Sequence, residues 1–102
     1  MEALSYLINM VEIILQEIEN IFRDNEIDFD KADLTKDMQL IGGKSQLDSM
    51  GLVALCLRLE EISEEEGFEF DWTSANAMSS STSFLRNVST LAEEYLHQKG
   101  SS

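Results

Sequence analysis

The sequence predicts an all-α domain with three main helices and one short one. Apolar residues recur at three- and four-residue steps in three separate segments, the signature of amphipathic helices. None of the 102 residues is proline, so long helices can run uninterrupted. The stretches between the periodic segments are rich in Asp, Ser and Gly, which favour turns and caps.

Residues 3–23 form the first expected helix. Leu4, Leu7, Ile8, Val11, Ile14, Leu15, Ile18, Ile21 and Phe22 make its apolar face, with Glu12, Gln16, Glu19 and Arg23 opposite. Its length excludes a strand, which averages five or six residues. Residues 24–48 read as a long polar connection. Leu34, Met38, Leu40, Ile41 and Leu47 are scattered anchors that should pin it to the core. An irregular connection of this length is uncommon and tends to serve function.

Residues 49–66 form the second helix, with Leu52, Leu55, Cys56, Leu59 and Ile62 as its buried stripe. Asp48 is the expected N-cap, since its carboxylate can accept from first-turn N–H groups. Gly67 is the expected stop, because glycine tolerates the left-handed conformation that ends helices. Phe68, Phe70 and Trp72 follow, then small polar residues with a short helix near Ser74–Met78. Residues 83–97 are the last helix, capped by Ser81 or Thr82. Its apolar face is Phe84, Leu85, Val88, Leu91, Ala92, Tyr95 and Leu96. Lys99 to Ser102 read as a frayed tail.

Length and the absence of repeats make residues 1–102 a single domain, with little room for an enclosed catalytic cavity. Acidic residues outnumber basic ones 20 to 7, a net charge of −13. That charge disfavours nucleic acid and anionic membranes, and favours partners with basic docking surfaces. The single cysteine, Cys56, excludes an internal disulfide and reads as a small buried residue. No segment is apolar enough to span a membrane. Glu2, Glu12, Glu17 and Glu19 interrupt the first segment, so no secretory leader is expected and the expected location is cytoplasmic.

Several motifs fail on inspection. A calcium loop starting at Asp24 would need glycine at its sixth place and glutamate at its twelfth, where Phe29 and Thr35 stand. One histidine, His97, and one cysteine do not make a transition-metal site. A Ser-His-Asp triad would require His97 to reach Ser49 from the end of the last helix. Gly42-Gly43-Lys44-Ser45 ends like a phosphate-binding loop but lacks its earlier glycine and its preceding strand.

Ser49 is different. It stands where the polar loop turns into the second helix, with no neighbour in sequence to activate it as a nucleophile. It suits a group that receives a modification better than one that catalyses. By itself it could be no more than a helix-capping serine. Asp48-Ser49-Met50 is followed by Leu52, Val53, Leu55, Leu59 and the pair Glu60-Glu61. This string resembles the acyl carrier protein family, and so do the long first helix, the long loop before Ser49 and the closing Val88, Leu91, Tyr95 and Leu96.

The resemblance covers nearly the whole chain. It implies a four-helix bundle that is not an enzyme but carries acyl groups as thioesters on a phosphopantetheine arm. The arm would be attached to Ser49 beside Asp48. A phosphate at that position would meet the positive end of a helix dipole. The implied partners are a phosphopantetheinyl transferase and acyl-loading and acyl-using enzymes, which a monomer would meet through Met50, Glu60, Glu61, Glu64 and Glu65. Leu55, Leu59, Ile62, Phe68, Phe70 and Val88 are candidates for lining a cargo space, or are simply core.

Many fatty-acid carriers have acidic residues two and five places after the serine; here Gly51 and Ala54 stand there, and Arg58 adds a positive charge. The acid is displaced, with seven acidic residues and no basic one from Glu60 to Asp71. This implies specialised lipid or secondary-metabolite biosynthesis rather than bulk fatty-acid synthesis. Gly42-Gly43-Lys44-Ser45 also resembles the Gly-Gly-x-Ser site of peptidyl carrier domains, with Ser45 as the attachment point. An unmodified acidic helical adaptor is the competing class.

The net charge of −13 sets one expectation that needs no fold: added salt or millimolar divalent cations should raise the melting temperature from its low-ionic-strength value. A flat or falling melting temperature in a salt series would mean that the acidic clusters are compensated within the fold.

Overall fold

The computed structural model describes residues 2–40, 47–72 and 84–101. It contains three α-helices, α1 (Glu2–Asp24), α2 (Ser49–Glu65) and α3 (Val88–Ser101), and no strand among the described residues. Helix α1 packs against both α2 and α3. The fourth, short helix expected near Ser74–Met78 and the expected caps Ser81 and Thr82 lie outside the described residues.

Helix α1 buries Met10, Ile14, Ile18 and Phe22, a ridge at four-residue steps, with Leu7, Val11, Leu15 and Ile21 half-buried beside it. The expected apolar face included Ile8, which is exposed, and omitted Met10, which is buried. At about 100° per residue Ile8 sits roughly a quarter-turn off the ridge centre, whereas Met10 continues it toward the N-terminus. The helix ends in a double hydrogen bond: Ile27 N–H donates to Phe22 O at 2.8 Å and Glu26 N–H to Arg23 O at 3.2 Å. This motif needs a left-handed residue, and Glu26 supplies it with φ of 56°.

The connection after α1 is more ordered than its composition suggests. Lys31–Asp33 form a 3-10 turn, capped by Asp30, whose Oδ1 accepts from Ala32 N–H at 2.9 Å. The chain then crosses to the start of α3. Leu40 N–H donates to Arg86 O, Val88 N–H to Met38 O and Ser89 N–H to Lys36 O, at 2.8–3.1 Å. Of the expected anchors, Leu40 and Leu47 are buried, Leu34 and Met38 are half-buried, and Ile41 lies outside the described residues.

These bonds explain why α3 begins at Val88, five residues later than expected. Asn87 Oδ1 accepts from Thr90 N–H at 2.9 Å, and Thr90 Oγ1 accepts from Asn87 N–H at 3.1 Å. Asn87 therefore caps the helix, and the carbonyls of residues 36 and 38 satisfy its first two N–H groups. Phe84 and Leu85 form the turn ahead of it. The far end is also corrected: the expected frayed tail is helical to Ser101. Lys99 Nζ stands 2.7 Å from Glu66 Oε2, and Tyr95 OH donates to Glu66 Oε1. Gln98 accepts from Asp71 N–H and donates to Asp71 O, at 2.7 and 2.8 Å.

Helix α2 buries Leu52, Leu55, Cys56 and Leu59; Ile62 is half-buried. Burial pushes the Cys56 thiol up to about 12, so it stays protonated and inert. Gly67 stops the helix as expected, with φ of 93°, Phe68 N–H donating to Ser63 O and Gly67 N–H to Glu64 O. Ser63 is fully buried: its hydroxyl donates to Glu60 O at 2.7 Å and accepts from Phe70 N–H at 3.0 Å. This bond draws Phe70 inward to an aromatic cluster in which Phe68 and Phe70 meet Tyr95 at ring separations of 5.1 and 5.3 Å.

The two helix stops differ in one respect: Gly67 occupies its left-handed position without strain, and Glu26 does not. Replacing Glu26→Gly should stabilise the protein by about 0.5–1 kcal/mol, the relief of a left-handed side chain less the entropy glycine adds to the unfolded chain. Glu26→Gln removes the same charge but keeps the strain, so it should gain less. Equal gains in urea titrations would assign the effect to charge.

Candidate functional site

Leu47 is buried and anchors the chain just before α2, while Asp48 beside it is exposed. Asp48 has extended backbone, and its Oδ1 accepts from Gly51 N–H at 2.7 Å. Its carbonyl accepts the first helical bond, from Leu52 N–H at 3.0 Å. Asp48 is therefore the N-cap and Ser49 the first helical residue. The capping role that could have explained a serine here belongs to its neighbour.

Gly51 has a steric reason. A Cβ there would stand 3.1 Å from Leu47 Cδ2 and 3.2 Å from Asp48 Oδ1, with Ile21 Cγ2 at 3.7 Å. An acidic side chain would crowd the capping carboxylate and add a like charge beside it. The fold of the Leu47-Asp48 segment against the first turn of α2 thus favours glycine at this place.

The outward face of α2 changes character along its length. Met50 is 81% exposed, and Val53 and Leu57 follow at three- and four-residue steps, 42% and 45% exposed. Further along, Glu61, Glu64 and Glu65 are exposed and Glu60 is half-exposed. The surface is apolar for its first two turns and acidic for its last two. Arg58 marks the change, with Nε 3.3 Å from Glu17 Oε2 on α1 and Nη1 3.2 Å from Glu61 Oε2. These hydrogen bonds, Glu17 first, hold the guanidinium protonated. Glu61 is therefore partly neutralised.

Sequence reasoning named Met50 and the four glutamates for this face and passed over Val53 and Leu57. The signal was available: both lie half a turn away from the stripe Leu52, Leu55 and Leu59. The six cargo-lining candidates belong to one core cluster: Leu55, Leu59, Phe68, Phe70 and Val88 are buried and Ile62 packs against them. The indole N–H of Trp72 is buried with no hydrogen-bond partner among the described residues.

Other chemistries find little footing. His97 lies two residues before Lys99, which pairs with Glu66 just past the C-terminal end of α2. Ser49 opens that helix, about 25 Å away for 17 residues at about 1.5 Å each, which separates the members of a triad. No group of three His, Cys, Asp or Glu side chains among the described residues could hold a metal ion. No helix among them is long and apolar enough to cross a membrane. Gly42, Gly43, Lys44 and Ser45 lie outside the described residues. The chain matches no protein-family model, no curated protein and no solved structure.

The cap sets a measurable cost. Asp48→Ala should lose about 0.5–2 kcal/mol in urea denaturation, whereas Asp48→Asn keeps an accepting oxygen and should lose much less. Equal losses would assign the effect to the charge of Asp48 rather than to its hydrogen bond with Gly51.

Proposed function

We propose that this chain is an acyl carrier protein with an acyl-carrier-like four-helix bundle. Ser49 holds a phosphopantetheine arm and presents a thioester-bound cargo to partner enzymes. The supporting observation is that Ser49 opens α2 immediately after a neighbouring residue, Asp48, has taken the capping role. Asp48 and Met50, on either side of it, are both exposed, so a transferase can approach the junction.

The groups around Ser49 fit a phosphodiester. The first N–H groups of an α-helix have no acceptor within the helix, and at α2 Asp48 takes that of Gly51. In the loading step the Ser49 hydroxyl attacks the phosphorus of coenzyme A that bears the pantetheine. A serine–phosphate bond forms, the pyrophosphate bond breaks, adenosine bisphosphate leaves and the transferase takes the hydroxyl proton. The arm supplies a thiol for the thioester; the protein chain supplies its position and its docking face. Met50, Val53 and Leu57 form the apolar part of that face, and Glu60, Glu61, Glu64 and Glu65 the part that draws basic partner surfaces.

The same exposed stripe also favours a second reading, an unmodified acidic adaptor that docks a partner through α2. Mass spectrometry after incubation with coenzyme A and a broad-range phosphopantetheinyl transferase separates the two. The wild type and Ser45→Ala should gain one arm and Ser49→Ala none. Loading that persists in Ser49→Ala and vanishes in Ser45→Ala would move the site to the peptidyl-carrier register. No loading of the wild type by several transferases would leave the adaptor.

A further inference from the structure

An open groove of about 470 Å³ lies between the end of α1 and the first turn of α2. Ile21 from the end of α1 and Asn25 and Ile27 just after it line one side, and Leu47, Asp48, Met50, Gly51 and Ala54 line it from the head of α2. We propose that this groove receives the pantetheine portion of the arm carried on Ser49. The proposal rests on the carrier reading and adds to it where the arm lies: against α1, on the outside of the bundle, rather than among the core residues of α2 and α3.

Place is the first argument. Asp48 and Met50, the residues flanking Ser49, both line the groove. An arm attached between them starts at the rim of this surface. Size is the second, since small-molecule sites are commonly about 300–1,000 Å³. Chemistry is the third. Pantetheine alternates methyl groups with amides and a hydroxyl. The groove offers apolar surface from Ile21, Ile27, Met50 and Ala54, together with one neutral and one charged polar side chain, Asn25 and Asp48. Asn25 Nδ2 donates to Ile21 O at 2.8 Å, which holds the amide in place at the groove with its oxygen and second N–H still able to pair with an amide of the arm.

The surroundings are built to keep the groove open. Gly51 lines it without a side chain, and the space a Cβ would enter is already tight against Leu47 and Asp48. Ile27 reaches its place through the left-handed turn at Glu26, whose strain is tolerated beside this groove. Val53 and Leu57 are not among the lining residues, so an arm lying here leaves them free for a partner.

The test uses the full chain, methyl-labelled at Ile, Leu, Met and Ala, before and after loading by a transferase. Mass spectrometry first establishes that the arm is present; failure at that step strikes the carrier reading and not the groove. In the loaded protein, nuclear Overhauser contacts should join the geminal methyl groups of the arm to the methyls of Ile21, Ile27, Met50 and Ala54. Loaded Ala54→Phe, its fold checked in the unloaded form, should lose those contacts, and its arm thiol should be alkylated several-fold faster. A loaded wild type with contacts only to other residues, or with none, overturns the proposal whether or not the variant folds. Contacts that persist unchanged in Ala54→Phe overturn it as well.

Discussion

The backbone pairing between residues 36–40 and 86–89 is the constraint on which the arrangement of helices depends. A connection from Asp24 to Ser49 would be expected to wander, and its entropy cost is large. It is held because it supplies what α3 lacks. The first N–H groups of α3 take the carbonyls of Lys36 and Met38, and Leu40 takes the carbonyl of Arg86 in return. One set of bonds satisfies a helix terminus and anchors a loop. Leu40 is thereby carried into the core, and α3 starts where Val88 can be buried. Helix α1 then packs on both of its partners with the ridge from Met10 to Phe22.

Helix α2 serves two surfaces at once. Its inner stripe, Leu52 to Leu59, is fully committed to the core, and the buried hydroxyl of Ser63 extends the commitment to the Phe70 segment. Its outer face is apolar over the first turns, next to the proposed attachment point, and acidic over the last turns. A helix with apolar residues on both sides has a weak amphipathic signal, which is unfavourable for folding alone. Such a helix is held by tertiary packing and by its caps rather than by its own pattern. Met50, Val53 and Leu57 leave an apolar stripe on the surface of α2, which is the feature the proposed docking face would use.

What could be read from the sequence follows from how local each signal is. The periodicity of α1, the Asp48 cap and the Gly67 stop are all encoded within a few residues of where they act, and the structure agrees with each. The start of α3 is only partly local: Asn87 and Thr90 were in view as a capping pair, but what selects them over Ser81 and Thr82 is the pair of carbonyls supplied some fifty positions earlier by Lys36 and Met38. The tail appeared free because Lys99 is stabilised by Glu66, 33 residues away. At the site, Ser49 and Asp48 were legible as a junction. The groove was not, because Ile21, Ile27 and Met50 come together only through the turn at Glu26.

The two ends of α2 are held in different ways. At the far end Glu66 accepts from Tyr95 and pairs with Lys99. Burial alone would raise its carboxyl, but those two partners outweigh it and hold it below the usual carboxylate range. Burial, then the Glu66 carboxylate, push the Tyr95 phenol above its ordinary range. A group lowered in this way contributes stability above its unfolded value and loses it as pH falls through the folded one, so the clamp is complete at neutral pH. Phe68, Phe70 and the Ser63 hydroxyl reinforce the same end. At the near end, among the described residues, Leu47 is buried, Asp48 caps the helix and Gly51 fits tightly beside both, while Asp48 and Met50 are exposed. On the proposed reading, a chain carrying its arm on Ser49 would have to keep that serine accessible to several enzymes in turn without unfolding. Fixing one end of the helix and leaving the other open meets both demands, with the stability supplied about 25 Å from where the chemistry is proposed.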